Sequence, residues 1–347
     1  MADLTTASGP SPVRRVLPVL GLVALAAIVV LAVRVLLLLF AGVLLAIVLR
    51  AAATFASKRL GLRYGIALAA IVIATVASTV VGSIALAPRI GDQLTELSNQ
   101  LPRAADTVRE RLHRVPIVRQ STSPDARELK PEARSILAVV AGAVGTSFEL
   151  AGGLVMVVFV GIYGAAQPDQ YRRAVLGLVP RAHMSRAERA WGDVSTNLSR
   201  WLLGRLVAML FVFVTCAIAF AVMGVPLAIT LAFLAGLLTF VEYVGAVVSA
   251  IPPALLAFTK SPALAVAVLV LFTVIHVVEG YVLTPLLARR SVHIPPAFTI
   301  AAQVVLAALV GPLGLTFATP LFVVVASSVR AWRDEPSPSS ASRARQA

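Results

Sequence analysis

The sequence predicts an all-α, polytopic membrane protein of about eight transmembrane segments, and three observations carry that prediction. Of the 347 residues, 59% are hydrophobic and 13% charged, with a mean hydropathy of +0.92. A soluble domain is charged at about one position in four. The apolar residues also fall in blocks long enough to cross a bilayer, where about 20 residues span the hydrocarbon as a helix. These blocks are continuously apolar rather than alternating, which argues against a transmembrane β-barrel.

Residues 1–12 and 331–347 are small, polar and Pro/Ser-rich and read as disordered tails. Spans one to three occupy 13–87. Val16–Val33 and Val35–Leu49 read as a tight pair separated by Arg34 alone, the first acting as a signal anchor rather than a cleaved signal peptide. A third span runs from Tyr64 to Ala87 and is expected to stop at Pro88. The segment 88–135 mixes both charge signs and has Ile90, Leu94, Leu97 and Leu101 at helical spacing, so amphipathic extracytoplasmic helices are expected. Span four covers 136–166; its glycines at 142, 145, 152, 153, 161 and 164 would let helices approach closely in lipid. Glu149 in this span is a weak site candidate.

The Arg-rich segment 167–200 predicts a helix along the cytoplasmic membrane surface. Spans five to eight fill 201–330. Span five runs from Trp201 to Met223. Residues 226–259 hold two short apolar pieces divided by Glu242 and Tyr243, with Pro252 and Pro253 in the second. Such interrupted segments are where broken or re-entrant helices line cavities. Span seven runs from Ala263 to Leu287 and the last from Ala297 to Val329.

The formal net charge is +14. The cationic residues cluster between apolar blocks, at 14–15, 50–63, 172–189 and the C-terminal tail, which places those loops and both termini in the cytoplasm. Arg289 and Arg290 fall on the other side and run against that bias. No basic patch is interleaved with aromatics, so no nucleic-acid partner is expected. Cys216 is the single cysteine, which excludes a disulfide framework and reads as a small buried hydrophobe.

The polar residues inside the apolar blocks are the candidate site. In HVVEGYVLTP, His276 and Glu279 stand one helical turn apart, six residues before Pro285 in the case of Glu279. A charge at bilayer depth costs about 2.5–3.5 kcal/mol on insertion scales, so such groups usually face a bundle interior or a wet cavity. Low dielectric disfavours the charged carboxylate, which makes Glu279 a candidate to load and release a proton. Glu242 is the natural third member. Each has a plainer alternative: His276 bonding a helix neighbour, Glu279 capping a helix or meeting Arg289 or Arg290, and Glu242 lying with Tyr243 at the interface. No HExxH, G-x-S-x-G or Walker A motif occurs, and the histidines at 113, 183, 276 and 293 are scattered. No enzyme activity, cofactor or metal site is expected.

Several stretches in the second half carry a family resemblance. GVPLAITLAFLAGLLTFVEYVGAVVSAIPPALLAF resembles the GVP…GLL…IPYVG…IPA run of the autoinducer-2 exporter family, the PerM-like permeases. HVVEGYVLTPLL is similar to its Q-x-x-E-x-x-x-L-x-P segment, VGPLGLTFATPL to its closing G-x-x-G…P stretch, and YGAAQPDQYRRAVLGLVP to the entrance of its cytoplasmic loop. The matching positions are Gly224, Pro226, Gly236, Tyr243, Gly245, Pro252, Glu279, Pro285, Gly311, Gly314 and Pro320. Glu242 stands where the family usually has proline, and His276 where it often has glutamine.

The resemblance implies a transporter of about eight spans in a bacterial inner membrane, in a family associated with autoinducer-2 export and with sodium/proton antiport. The expected function is a secondary transporter exporting a small solute, coupled to protons or sodium. Glu279, Glu242 and His276 would bind the ion, and the matched glycines and prolines would serve as helix breaks or hinges. Membrane lipid, a small-molecule or ion substrate and a second copy of the chain are the expected partners. The alternative is a membrane scaffold or regulatory protein with no transport cycle.

Overall fold

The computed structural model describes residues 12–113, 147–283, 285–286 and 296–333, and every element longer than a turn among them is helical. Among the described residues, four helical stretches are long and apolar enough to cross a membrane: Ala32–Leu60, Arg181–Val222, Pro262–Leu283 and Pro312–Arg333. Shorter apolar helices accompany them, so the polytopic helical class holds. The segment 114–146, most of both predicted tails, Arg289 and Arg290 lie outside the described residues, as do the side chains of Ile90, Leu94, Leu97, Leu101 and Glu149.

Helices α1 (Pro12–Leu60) and α2 (Tyr64–His113) are each far longer than one crossing, at 49 and 50 residues, or about 74 Å at 1.5 Å per residue. Two expectations are corrected here. The tight pair of spans meeting at Arg34 is one unbroken helix. No glycine or proline adjoins Arg34, and a lone arginine can lay its aliphatic stem along apolar surface without disturbing the backbone ladder. Likewise α2 continues through Pro88 instead of stopping there; the ring removes one backbone donor, which bends a helix more readily than it ends one when neighbours support it. Gly61, at φ +67°, turns the chain between α1 and α2.

Helix α3 (Ser147–Ala166) packs along α1 through glycines on both sides. A Cβ on Gly42 would lie 2.5 Å from the Val160 Cβ, and one on Gly164 would lie 2.9 Å from the Ala46 Cβ. Two backbones this close gain dispersion contact that lipid chains cannot supply. Helix α4 (Pro168–Gly177) and a 3₁₀ turn, Arg181–His183, lead into α5 (Met184–Val222). The expected surface helix is therefore corrected in its second half: residues 184–200 are the first turns of α5, collinear with span five.

Beyond α5 come α6 (Ala228–Leu238), α7 (Val244–Lys260) and α8 (Pro262–Val278), the last running into a π-turn at Glu279–Leu283. Helices α9 (Pro296–Val310) and α10 (Pro312–Arg333) close the fold as a hairpin turned by Gly311 at φ +74°. The interior has one apolar cluster built on α5–α8, including Val212, Phe220, Leu231, Leu256 and Phe272, and another joining α1, α2 and α3. A third, with Leu44, Leu198, Leu202 and Val323, ties α1 to α5 and α10. Large apolar side chains such as Leu210, Ile218, Val247, Val266 and Val304 face outward, as lipid contact requires.

Candidate functional site at the broken helix

The interrupted segment 226–259 is a helical hairpin. Gly224 (φ +66°) and Leu227 (φ +54°) reverse the chain after α5. Helix α6 then returns alongside α5, where Gly236 allows the approach: a Cβ there would lie 2.8 Å from the Phe213 Cβ and 2.9 Å from the Met209 carbonyl oxygen. The chain breaks at 239–243 and α7 runs back, so that the Lys260 ammonium at its far end donates to the Gly224 carbonyl oxygen at 2.5 Å. Both ends of the hairpin thus lie together, and its tip is the Glu242–Tyr243 break. Gly245 is required at that tip, since a Cβ would overlap the Leu238 carbonyl group. Pro226 belongs to the turn before α6, while Pro252 is buried inside α7 beside Pro253.

Tyr243 has φ +59° and ψ −61°, and the Val244 amide donates to the Glu242 carbonyl oxygen at 2.6 Å. This is a γ-turn of the positive-φ kind, rare for a side-chain-bearing residue. It leaves the Phe240 and Glu242 carbonyl oxygens outside the helical ladder, while those of Val241 and Tyr243 accept from the Gly245 and Val247 amides.

Three elements converge there. From α5, Arg205 Nε donates to the Phe240 carbonyl oxygen at 3.3 Å, and Arg205 Nη1 to Glu279 Oε1 at 3.3 Å. The ion pair is shielded, with side-chain exposures of 10% and 12%. One turn earlier, Trp201 Nε1 donates to Glu242 Oε1 at 3.3 Å, and its ring meets Phe240 edge-on. From α9, Gln303 Nε2 donates to the Glu242 carbonyl oxygen at 3.0 Å and to Thr319 Oγ1 of α10 at 3.4 Å. Gln303 is fully buried and its Oε1 has no partner among the described residues. A further polar bridge, Asn197 Nδ2 to Ser327 Oγ at 3.1 Å, pins α5 to α10 two turns before Arg205.

Glu279 opens the π-turn. Single π-turns inside helices recur at functional sites, and Pro285, which cannot donate to the ladder, follows close behind this one. The expected partners Arg289 and Arg290 lie outside the described residues; among those described, the guanidinium facing Glu279 is Arg205. His276 is placed differently. Its Nδ1 lies 3.1 Å from the Phe272 carbonyl oxygen, its ring stacks on Phe272 at 4.4 Å, and its Nε2 is buried without a partner among the described residues. The structure thus pairs Glu279 with Arg205, sets the Glu242 carboxylate on Trp201 one turn away, and leaves His276 bonded within its own helix. Gly311 and Gly314 shape the α9–α10 turn, where a Gly314 Cβ would overlap the Leu306 carbonyl group, and Pro320 is buried in α10 next to Thr319.

Sequence reasoning missed Trp201, Arg205, Gln303 and Thr319. Two signals were present: Arg205 is the single charge in 201–223, and Gln303 the single amide in 297–329. By the cost argument applied to Glu279, both should have been singled out.

Comparison with known proteins agrees with this architecture. The model of the AI-2E family transporter matches residues 19–334. "Putative transport protein YueF" of Bacillus subtilis (strain 168) is 24% identical over 208 residues, taking in 60% of this chain and 56% of YueF, a little over half its length. "Putative transport protein YrrI" of the same organism is 25% identical over 249 residues, covering 67% of this chain and 68% of YrrI. "Putative transport protein YhhT" of Escherichia coli (strain K12) is 29% identical over 143 residues, with 41% and 40% covered. With residues 19–334 of its 347 matched by the family model, the chain belongs to the AI-2E family of transporters.

Proposed function

We propose that the protein is a secondary transporter that exports a small solute, coupled to a proton or a sodium ion, by alternating access around the hairpin tip and the π-turn. The observation that carries this reading is the shielded Arg205–Glu279 pair, which joins α5 to the π-turn while the same guanidinium holds the Phe240 carbonyl of the tip. A closed pathway held by one such junction opens when the junction is exchanged for other partners, and the hairpin and π-turn are the segments with backbone free to move. Glu242, Glu279 and His276 are the proposed ion-handling groups. The chain is taken to sit in a bacterial inner membrane with both termini cytoplasmic and to assemble with a second copy.

The test is flux in proteoliposomes of purified protein, wild type beside Glu279→Gln, with internal pH followed while sodium, lithium or a candidate solute is added outside. A solute-dependent pH change that disappears in the variant is the expected result. No flux from folded, oriented protein removes the ion-path role from these residues and leaves the scaffold reading in its place.

A further inference from the structure

The chemistry around Arg205 points to a role beyond a structural ion pair. Helix α6 ends at Leu238, and the C-terminal end of a helix carries partial negative charge. In carriers with broken helices, unwound carbonyls and half-helix C-termini are where a coupling cation sits, usually with a carboxylate. Here the same donors are assembled: the Phe240 carbonyl oxygen just beyond α6 and the Glu279 carboxylate of the π-turn. They converge on a positive charge, and that charge is Arg205, at 3.3 Å from each.

We propose that Arg205 is a tethered cation occupying the ion site of the broken helix, so that the protein binds no sodium at Glu279. The site is rich in acceptors. Besides the two oxygens on Arg205, the Glu242 carboxylate takes a neutral N–H from Trp201, and Gln303 Oε1 is buried with no partner among the described residues. A guanidinium stays charged at any physiological pH and spreads its donors over several acceptors. In this closed arrangement Arg205 therefore answers Glu279 at any physiological pH. A free ion would have to displace a covalently held one from a pair whose side chains are 10% and 12% exposed. The proposal names the ion specificity of the proposed transport site, and rests on the transport reading for its significance alone.

The experiment reads the melting temperature of the purified full-length protein in detergent, in choline chloride and with sodium chloride or guanidinium chloride added at matched ionic strength. Wild type is expected to melt alike in choline and sodium. Arg205→Ala should melt lower in choline and recover at least half the loss in about 0.3 M sodium or about 10 mM guanidinium, as mass action on a vacated site requires. Adding Glu279→Gln to Arg205→Ala should abolish the recovery.

A wild-type rise of about 3 °C or more specific to sodium overturns the proposal. So does a folded Arg205→Ala that neither cation stabilises. If Arg205→Ala folds in none of the three salts while Arg205→Met/Glu279→Met folds, the proposal also fails, because no free cation then takes the place of the arginine. These readouts need no substrate, so a protein that moves nothing across a membrane would still pass or fail them independently of the flux assay.

Discussion

Replacing Glu279 by methionine strands the Arg205 guanidinium with the Phe240 carbonyl as its remaining described acceptor. Both side chains are nearly withdrawn from solvent, at 10% and 12%, and their atoms lie 3.3 Å apart. Exposure this low leaves little solvent to relax the orphaned charge, so the cost belongs to the buried class, about 3–5 kcal/mol for breaking a pair from one side. In melting temperature this is a fall on the order of 10 °C. Arg205→Met should cost a similar amount. The double variant Arg205→Met/Glu279→Met removes both charges and should lie within about 1–2 kcal/mol of wild type, since apolar replacement of a whole buried pair is often neutral. The assay is a double-mutant cycle on melting in detergent, with a coupling of at least about 2 kcal/mol expected. Single variants that each cost under about 1 kcal/mol and simply add would show that the pair is solvated, and the junction argument would fail with it.

Four other outcomes are expected. Gly245→Ala places a Cβ into the Leu238 carbonyl group; it should cost more than the usual overpacking penalty of about 1–3 kcal/mol and abolish transport, and an active, stable variant would contradict the hairpin geometry. Glu242→Gln keeps the Trp201 contact in reach while removing a charge; flux driven by a pH gradient should drop about tenfold or more, whereas unchanged pH coupling would assign the exchange elsewhere. Gln303→Met loses two hydrogen bonds but also an unpartnered buried oxygen, so its stability should stay within about 1 kcal/mol of wild type; a much larger loss in the melt would reveal an unseen partner for Oε1. Gly42→Ala drives a Cβ toward the stiff, branched Val160 and should loosen α1 from α3 by about 1–3 kcal/mol, read as faster proteolysis between the two helices.

The membrane class and the interrupted hairpin were legible because they are written in composition and punctuation: long apolar runs, then Glu242-Tyr243 dividing two short apolar pieces. Helix lengths were not. Hydropathy changes wherever charge appears, as at Arg34, Arg89 and Arg200, yet the backbone ladder of α1, α2 and α5 ignores those changes because hydrogen bonding within a helix needs no apolar side chain. Glu279 and Glu242 announced themselves as charges in grease. Arg205 carried the same signal inside span five, five residues past the Arg-rich segment, and was not singled out. Its pairing with Glu279, 74 positions away, is a product of tertiary packing that no local spacing encodes.

The γ-turn at Tyr243 bears on how easily the hairpin tip can change shape. A side-chain-bearing residue held at positive φ outside the helical wells stores about 1–3 kcal/mol, and here Tyr243 is 46% exposed rather than wedged into the core. The tip is therefore kept in its bent form by what its carbonyls grip — Arg205 and Gln303 — and not by the ring. Once those grips loosen, the peptide has a downhill rotation available, and in the proposed alternating-access cycle the stored energy would be returned to the step that opens the hairpin. The resting state is in this sense a cocked spring, with its catch on α5 and α9.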